Sequence, residues 1–152
     1  MNAAVTPSLA SAAVVVRRVI AASAEDLFDA WLDPEALAQW MRPGTINSTV
    51  ARVEPRVGGT YEITMQGQSG PIVHRGVYRH IERPKRLVFT WISGPTEYQE
   101  TLVTVDFVRV DNRTEVIVTH EQLPESAKPS HSKGWTSGLE HLDEACQKGL
   151  IG

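Results

Sequence analysis

The sequence predicts an α+β domain in which one curved antiparallel sheet of six to seven strands wraps a long C-terminal helix, with two short helices after the first strand. Three observations predict it. From Pro43-Gly44 onward to His120, β-branched and aromatic runs recur roughly every dozen residues between turn signals, which is the spacing of a meander. Near the end, Trp135, Leu139, Leu142 and Cys146 stand four, three and four apart on one helical stripe. Between the first strand and the meander, two short helical patterns each begin at their own cap.

Taken in order, residues 1–12 are rich in Ala, Ser and Pro and show no period, so they read as a flexible tail before a single domain spanning 13–152. Val14 to Ile20 is β-branched and reads as the first strand. Ser23 is placed to cap a helix, Glu25 and Asp26 suit its first turn, and Leu27, Phe28, Trp31 and Leu32 form its apolar face. Asp33-Pro34 supplies a new cap with proline at the first helical position, and Leu37, Trp40 and Met41 continue the helical spacing until Pro43-Gly44 stops it.

The strands that follow are punctuated by Val57-Gly58-Gly59, Gly67 to Pro71, Arg83-Pro84-Lys85, Ser93-Gly94-Pro95 and Asp111-Asn112. Alternation marks inward faces at Tyr61, Ile63 and Met65, at Leu87, Phe89 and Trp91, at Val103, Val105 and Phe107, and at Val116, Val118 and His120. Near Val73 to Ile81 phase alone does not settle the strand, because Val77 and Ile81 oppose Tyr78, a pattern that leaves room for a bulge. After Leu123-Pro124 the last helix should place Glu140, Asp143, Glu144 and Lys148 away from its apolar stripe, with a Glu144 to Lys148 ion pair. Gly134 and Gly138 inside that helix suggest that backbone comes close to a neighbour.

Composition narrows function by exclusion. At 152 residues, with 41% hydrophobic and 22% charged, the chain is long enough to bury roughly 70% of its unfolded surface without covalent staples. A net charge of -3 with scattered Lys and Arg gives no footprint for nucleic acid, and no apolar run approaches the ~20 residues of a membrane span. Cys146 is the single cysteine and Met1 to Pro7 lacks a positively charged leader, so a cytoplasmic location is expected. Phosphate-loop, dinucleotide, zinc-protease, nucleophile-elbow and C-x-x-C signatures are all missing, so no catalytic residue, metal or cofactor is expected.

The order of several segments resembles the activator of heat-shock-protein-90 ATPase homologue-like family of the START-like (SRPBCC) superfamily. They are Val19 to Trp31, Asp33-Pro34-Glu35 with Gln39-Trp40, Arg56 to Tyr61, Arg75 to Tyr78, Arg86 to Trp91, Thr114 to Glu121, Leu123-Pro124, and His131 to Trp135. Together they cover residues 14–148. The resemblance implies a helix-grip fold with an internal cavity between sheet and last helix. It also implies a differently shaped cavity mouth, since Trp40-Met41 stands where many relatives carry paired tryptophans.

Aromatic residues that carry one polar atom are suited to lining such a cavity. Trp40, Met65, Tyr78, Trp91, Tyr98, Trp135 and Leu139 are the candidate walls and His120 the candidate polar anchor, its phase placing the imidazole inward. The function expected is binding of a small apolar or aromatic molecule. Two alternatives stand beside it: a co-chaperone-like or dimeric interaction module, and a cyclase- or hydrolase-like enzyme using His120, Tyr98 or Glu100 in acid–base roles. Two histidines, His120 and His131, can meet across sheet and helix, but without a third ligand they make a weak metal site.

Overall fold

The computed structural model describes residues 12–152, so all of the expected tail but Ala12 lies outside the described residues. The chain runs β1 (Val14–Ile20), α1 (Ala24–Asp29), α2 (Pro34–Trp40), β2 (Ser48–Val53), β3 (Thr60–Gly67), β4 (Gly70–Glu82), β5 (Arg86–Trp91), β6 (Thr101–Val110), β7 (Arg113–Glu121) and α3 (Lys128–Gln147). Seven strands form one antiparallel sheet in the order β1-β7-β6-β5-β4-β3-β2, wrapped around α3. No helix of the described residues is long and apolar enough to cross a membrane.

Both short helices start as their caps dictate. Ser23 Oγ accepts a hydrogen bond from the Asp26 amide at 3.1 Å, and Asp33 Oδ1 accepts from the Glu35 amide at 3.0 Å with Pro34 following the cap. Each cap satisfies a donor that the helix itself leaves unpaired.

Register joins the inward faces of neighbouring strands into continuous rows. Val14, His120, Val103, Phe89 and Tyr78 stand opposite one another across five strands, and Val16, Val118, Val105 and Leu87 form the next row. A bulge lies in β4 between Tyr78 and His80, in the stretch whose phase the sequence leaves open. It moves the inward phase from Tyr78 to Ile81, which pairs with the fully buried Leu87. One extra residue thus explains why both parities looked apolar.

Gly76 sits at a close approach of neighbouring strands. A Cβ there would fall 1.9 Å from the Thr90 carbonyl oxygen and 2.7 Å from the Tyr61 ring, so only glycine lets β3 and β5 approach β4 this closely. Tyr61 Oη donates to that same Thr90 carbonyl, and Thr90 Oγ1 accepts from the Val77 amide at 2.9 Å.

Helix α3 lies across the concave face. Trp135, Leu139 and Leu142 are buried as their stripe predicts, and Cys146 is half-buried at its end. Asp143 departs from the expectation: it is buried, because Arg18 on the edge strand donates to it at 2.9 Å and Gln147 at 3.0 Å. The expected Glu144–Lys148 ion pair does not form, and the two residues are joined by the backbone bond from the Lys148 amide to the Glu144 carbonyl at 3.0 Å. The helix glycines are also less constrained than expected. A Cβ on Gly138 would meet the Trp40 ring at 3.9 Å and one on Gly134 would meet Pro43 at 3.8 Å, both ordinary contacts.

Candidate functional site

Where the N-terminal half of α3 leaves the sheet, the polypeptide encloses an open-sided groove of about 390 Å³. Its floor is made by the inward residues of three strands, Met65 on β3, His74 on β4 and Trp91 on β5. One wall is the first turns of α3, with His131, Gly134 and Trp135; the other is the loop after α2, with Met41, Pro43 and Ile46, and Ile72 closes the far side. Deeper in the molecule, the space among Trp31, Leu37, Tyr61, Tyr78 and Phe89 shrinks to about 10 Å³, which holds about one water at most. Open space is thus confined to one end, and the centre is filled by rings. Trp31 packs on Trp40 with centroids 4.6 Å apart and on Trp135 at 5.9 Å, while Tyr61 packs on Tyr78 at 5.4 Å.

Three larger recesses, about 460, 580 and 840 Å³, lie elsewhere and are rimmed by charged side chains such as Asp29, Arg52, Glu62, Arg86 and Asp106. Ion pairs already occupy those groups: Arg52 meets Glu62 at 2.8 Å and Arg86 meets Asp106 at 2.7 Å. The smaller groove is the one walled by apolar and aromatic groups, which is the character of a site for a small organic ligand.

Behind the groove wall runs a directional hydrogen-bond relay. Trp135 Nε1–H donates to His120 Nδ1 at 3.0 Å, and His120 Nε2 lies 2.8 Å from Thr101 Oγ1, whose hydroxyl donates to the Trp91 carbonyl. An indole N–H can only donate, so Nδ1 is the bare nitrogen of His120 and its proton sits on Nε2. The imidazole is therefore held neutral. Burial pushes its pKa down to about 3, and His131 and His74 nearby push in the same direction. His74 is lowered to about 4 by burial and then by His131. Burial also lowers His131, against the opposing bond from its Nδ1 to the Ala127 carbonyl at 2.8 Å.

Of the sequence-predicted wall residues, the structure brings Met65, Trp91 and Trp135 together in the groove. Trp40 is fully buried behind it, its indole N–H donating to the Ala30 carbonyl at 2.9 Å, and it is the neighbouring Met41, itself buried, that lines the groove. Tyr78 and Leu139 belong to the filled centre. His120 is fully buried and acts on Trp135 rather than lining open space. Tyr98 is 79% exposed at a left-handed turn, where φ is 58°, and stands outside the groove.

His120, Tyr98 and Glu100 are not brought into one site. The first is saturated by its relay, the second faces solvent, and Glu100 lies against Arg79 at 3.5 Å on the outer surface. Cys146, whose thiol burial pushes up to about 11, is no nucleophile. Among the described residues, no group of three or more His, Cys, Asp or Glu is placed to hold a metal ion.

Sequence reasoning missed Met41, Ile46, Ile72 and His74 as lining. Ile46 lies in a loop with no period, and β4 had an unreadable phase, so the inward position of His74 carried no alternation signal. Met41 was visible only as the departure from paired tryptophans.

Comparison with known proteins agrees with this architecture. The sequence model described as "Activator of Hsp90 ATPase homolog 1-like protein" matches residues 21–147. Among solved structures, an HSP90 activator from Plasmodium falciparum is similar at 25% identity and a TM-score of 0.72, over 90% of this chain and 96% of that one. A protein from Rhodobacter sphaeroides is similar at 24% identity and TM-score 0.78, over 90% and 93%. Protein CV1439 from Chromobacterium violaceum gives 22% and 0.77, over 87% and 94%, and like the Rhodobacter protein it shares the fold. No curated protein matches the chain.

Proposed function

The chain belongs to the activator of Hsp90 ATPase homolog 1-like family, and from that premise we propose that its groove binds a small apolar or aromatic molecule. The observation that carries the reading is the contrast in filling. The same concave face that is packed to about 10 Å³ under Tyr78 opens to about 390 Å³ beside Trp91 and Trp135. Apolar surface left uncovered in a hollow is unfavourable in water, and a ligand that covers it gains the free energy of burial. Trp91 and Trp135 supply flat faces 5.3 Å apart by centroid, and Met41 and Met65 supply adaptable walls.

Residues 13–152 act as one binding domain in this reading, and a cytoplasmic location agrees with the single cysteine. No reaction is assigned to the groove.

The experiment is a melting-temperature screen with flat aromatic, flavonoid-like and lipid-like compounds. A ligand that prefers the folded state raises the melting temperature by mass action, with about 2.7 kcal/mol of stabilisation at a hundred times its dissociation constant. Ile72→Trp should fill the groove and abolish the response while leaving the ligand-free protein folded. No shift with any compound contradicts the reading.

A second reading, engagement of Hsp90 or of a second copy of the chain, draws support from the family description and from the likeness to the Plasmodium activator. Under that reading the chain co-purifies with Hsp90 and raises its ATP turnover. A pull-down that recovers no chaperone, with ATP turnover unchanged, removes it.

A further inference from the structure

Two residues of the groove floor each carry a buried polar atom that the protein itself leaves unpaired. Trp91 Nε1 and His74 Nδ1 are buried without a hydrogen-bond partner, on side chains that are 3% and 6% exposed and that both line the groove. The two rings stack with centroids 4.6 Å apart and planes 30° from parallel, so the polar atoms belong to one platform. Unpaired buried groups cost stability, and native proteins rarely keep them without a use.

Charge adds a second, independent indication. The chain carries a net charge of -3, yet no Asp or Glu lines this groove, and the one charged lining side chain is Lys133 on its rim. Lys133 is exposed and enters none of the ion pairs among the described residues.

We infer that the groove selects a compact aromatic acid, a flat ring system whose carboxylate or phenolate oxygen takes hydrogen bonds from Trp91 and His74 while Lys133 faces its charge. This deepens the binding reading above and rests on it. The indole can only donate, and a neutral imidazole can present its single proton at Nδ1; both nitrogens are closed to water in the ligand-free chain, so the acid must shift the stacked rings to reach them. A carboxylate accepts both. A volume of about 390 Å³ lies at the small end of ligand pockets, which run roughly 300–1,000 Å³, and this limits the occupant to a small ring system without a long chain.

The test titrates the full chain, in parallel, with naphthoate and with naphthalene, its uncharged parent. Binding is followed by calorimetry and by the indole N–H resonances, with Trp91→Phe used to assign the Trp91 signal. Naphthoate should bind roughly tenfold or more tightly than naphthalene, as charged hydrogen bonds imply. Its binding should move the Trp91 indole N–H and leave that of Trp40, already bonded to Ala30, in place. Lys133→Gln, on an exposed residue whose loss cannot unfold the domain, and His74→Phe, which keeps the stacked ring, should each erode the preference for the acid.

If naphthalene binds as tightly as naphthoate and the Trp91 resonance stays still, the apolar groove stands and the acid selectivity is overturned. The selectivity is overturned equally if naphthoate is preferred but neither substitution changes the preference. If neither compound binds, the preference for a compact aromatic acid is overturned, and the binding function itself falls only if the wider melting-temperature screen also finds no ligand.

Discussion

The two ends of α3 face the same sheet with different chemistry. Toward its C-terminus the helix sets Leu139 and Leu142 in a core shared with Leu27, Phe28, Val103, Val105 and Phe107, and those two leucines are fully buried. Toward its N-terminus it sets His131 and Trp135 against His74, Trp91 and His120. Aliphatic side chains interdigitate to crystal-like density because their shapes and rotamers adapt to one another. Rigid rings that must also direct an N–H toward a partner have fewer ways to fill space. The first end is packed solid, and open volume is left at the second, beside the unpaired Trp91 and His74 nitrogens.

The largest effect should come from the aliphatic end. Leu139→Ala should cost about 2–5 kcal/mol in urea denaturation, since the buried site collapses only in part, with ligand response retained in the molecules that remain folded. A loss below about 1 kcal/mol would mean that this end is looser than its burial implies.

Next in size is the relay. His120→Leu leaves the Trp135 N–H and the Thr101 hydroxyl without their shared partner and should cost about 1–3 kcal/mol. Because Trp135 is then free to turn, aromatic binding should weaken as well, which calorimetry on the folded variant reads directly.

Acid should weaken the same end. His120 and His74 titrate at about 3 and about 4 when folded, against 6.5 for the unfolded groups, so below about pH 6.5 the unfolded chain takes up more protons than the native one. Stability from these two residues is complete above that pH and declines as pH falls toward their folded values. Denaturation midpoints between pH 7 and pH 4 should drop in the wild type and drop less in a His74→Phe, His120→Leu double variant.

The smallest effect has the opposite sign. Gly138→Ala places its methyl 3.9 Å from Trp40, an ordinary contact, and removes a flexible residue from a helix interior. It should raise stability by up to about 1 kcal/mol. Destabilisation instead would show that α3 and Trp40 are packed more tightly than that distance.

What was legible in the sequence follows the same division. Alternation in β3, β5, β6 and β7 and the Trp135–Leu139–Leu142 stripe placed the sheet and its helix, because one-sided burial imposes a period on the residues themselves. Caps at Ser23 and Asp33 were legible for a similarly local reason. Asp143 was misjudged because its partner, Arg18, lies 125 residues away, and no local pattern announces a pairing across the sheet edge. The groove was legible only in part. Phase identifies Trp91 and Trp135, whereas Tyr98 has only the residue type of a pocket wall, and a left-handed turn carries it into solvent. Whether an inward ring borders open space or fills the centre depends on neighbours such as Ile46 and Ile72, which no single-strand pattern brings together.

Backbone amide shifts recorded during a naphthalene titration would separate the two ends of α3 in a single experiment. The perturbed residues should cluster around Ile46, Ile72 and Gly134, beside Trp91 and Trp135, while Leu27, Phe107 and Leu142 stay unmoved. Perturbation centred on Leu142 and Phe107, or spread evenly over the sheet, would contradict a ligand-binding groove confined to the aromatic end.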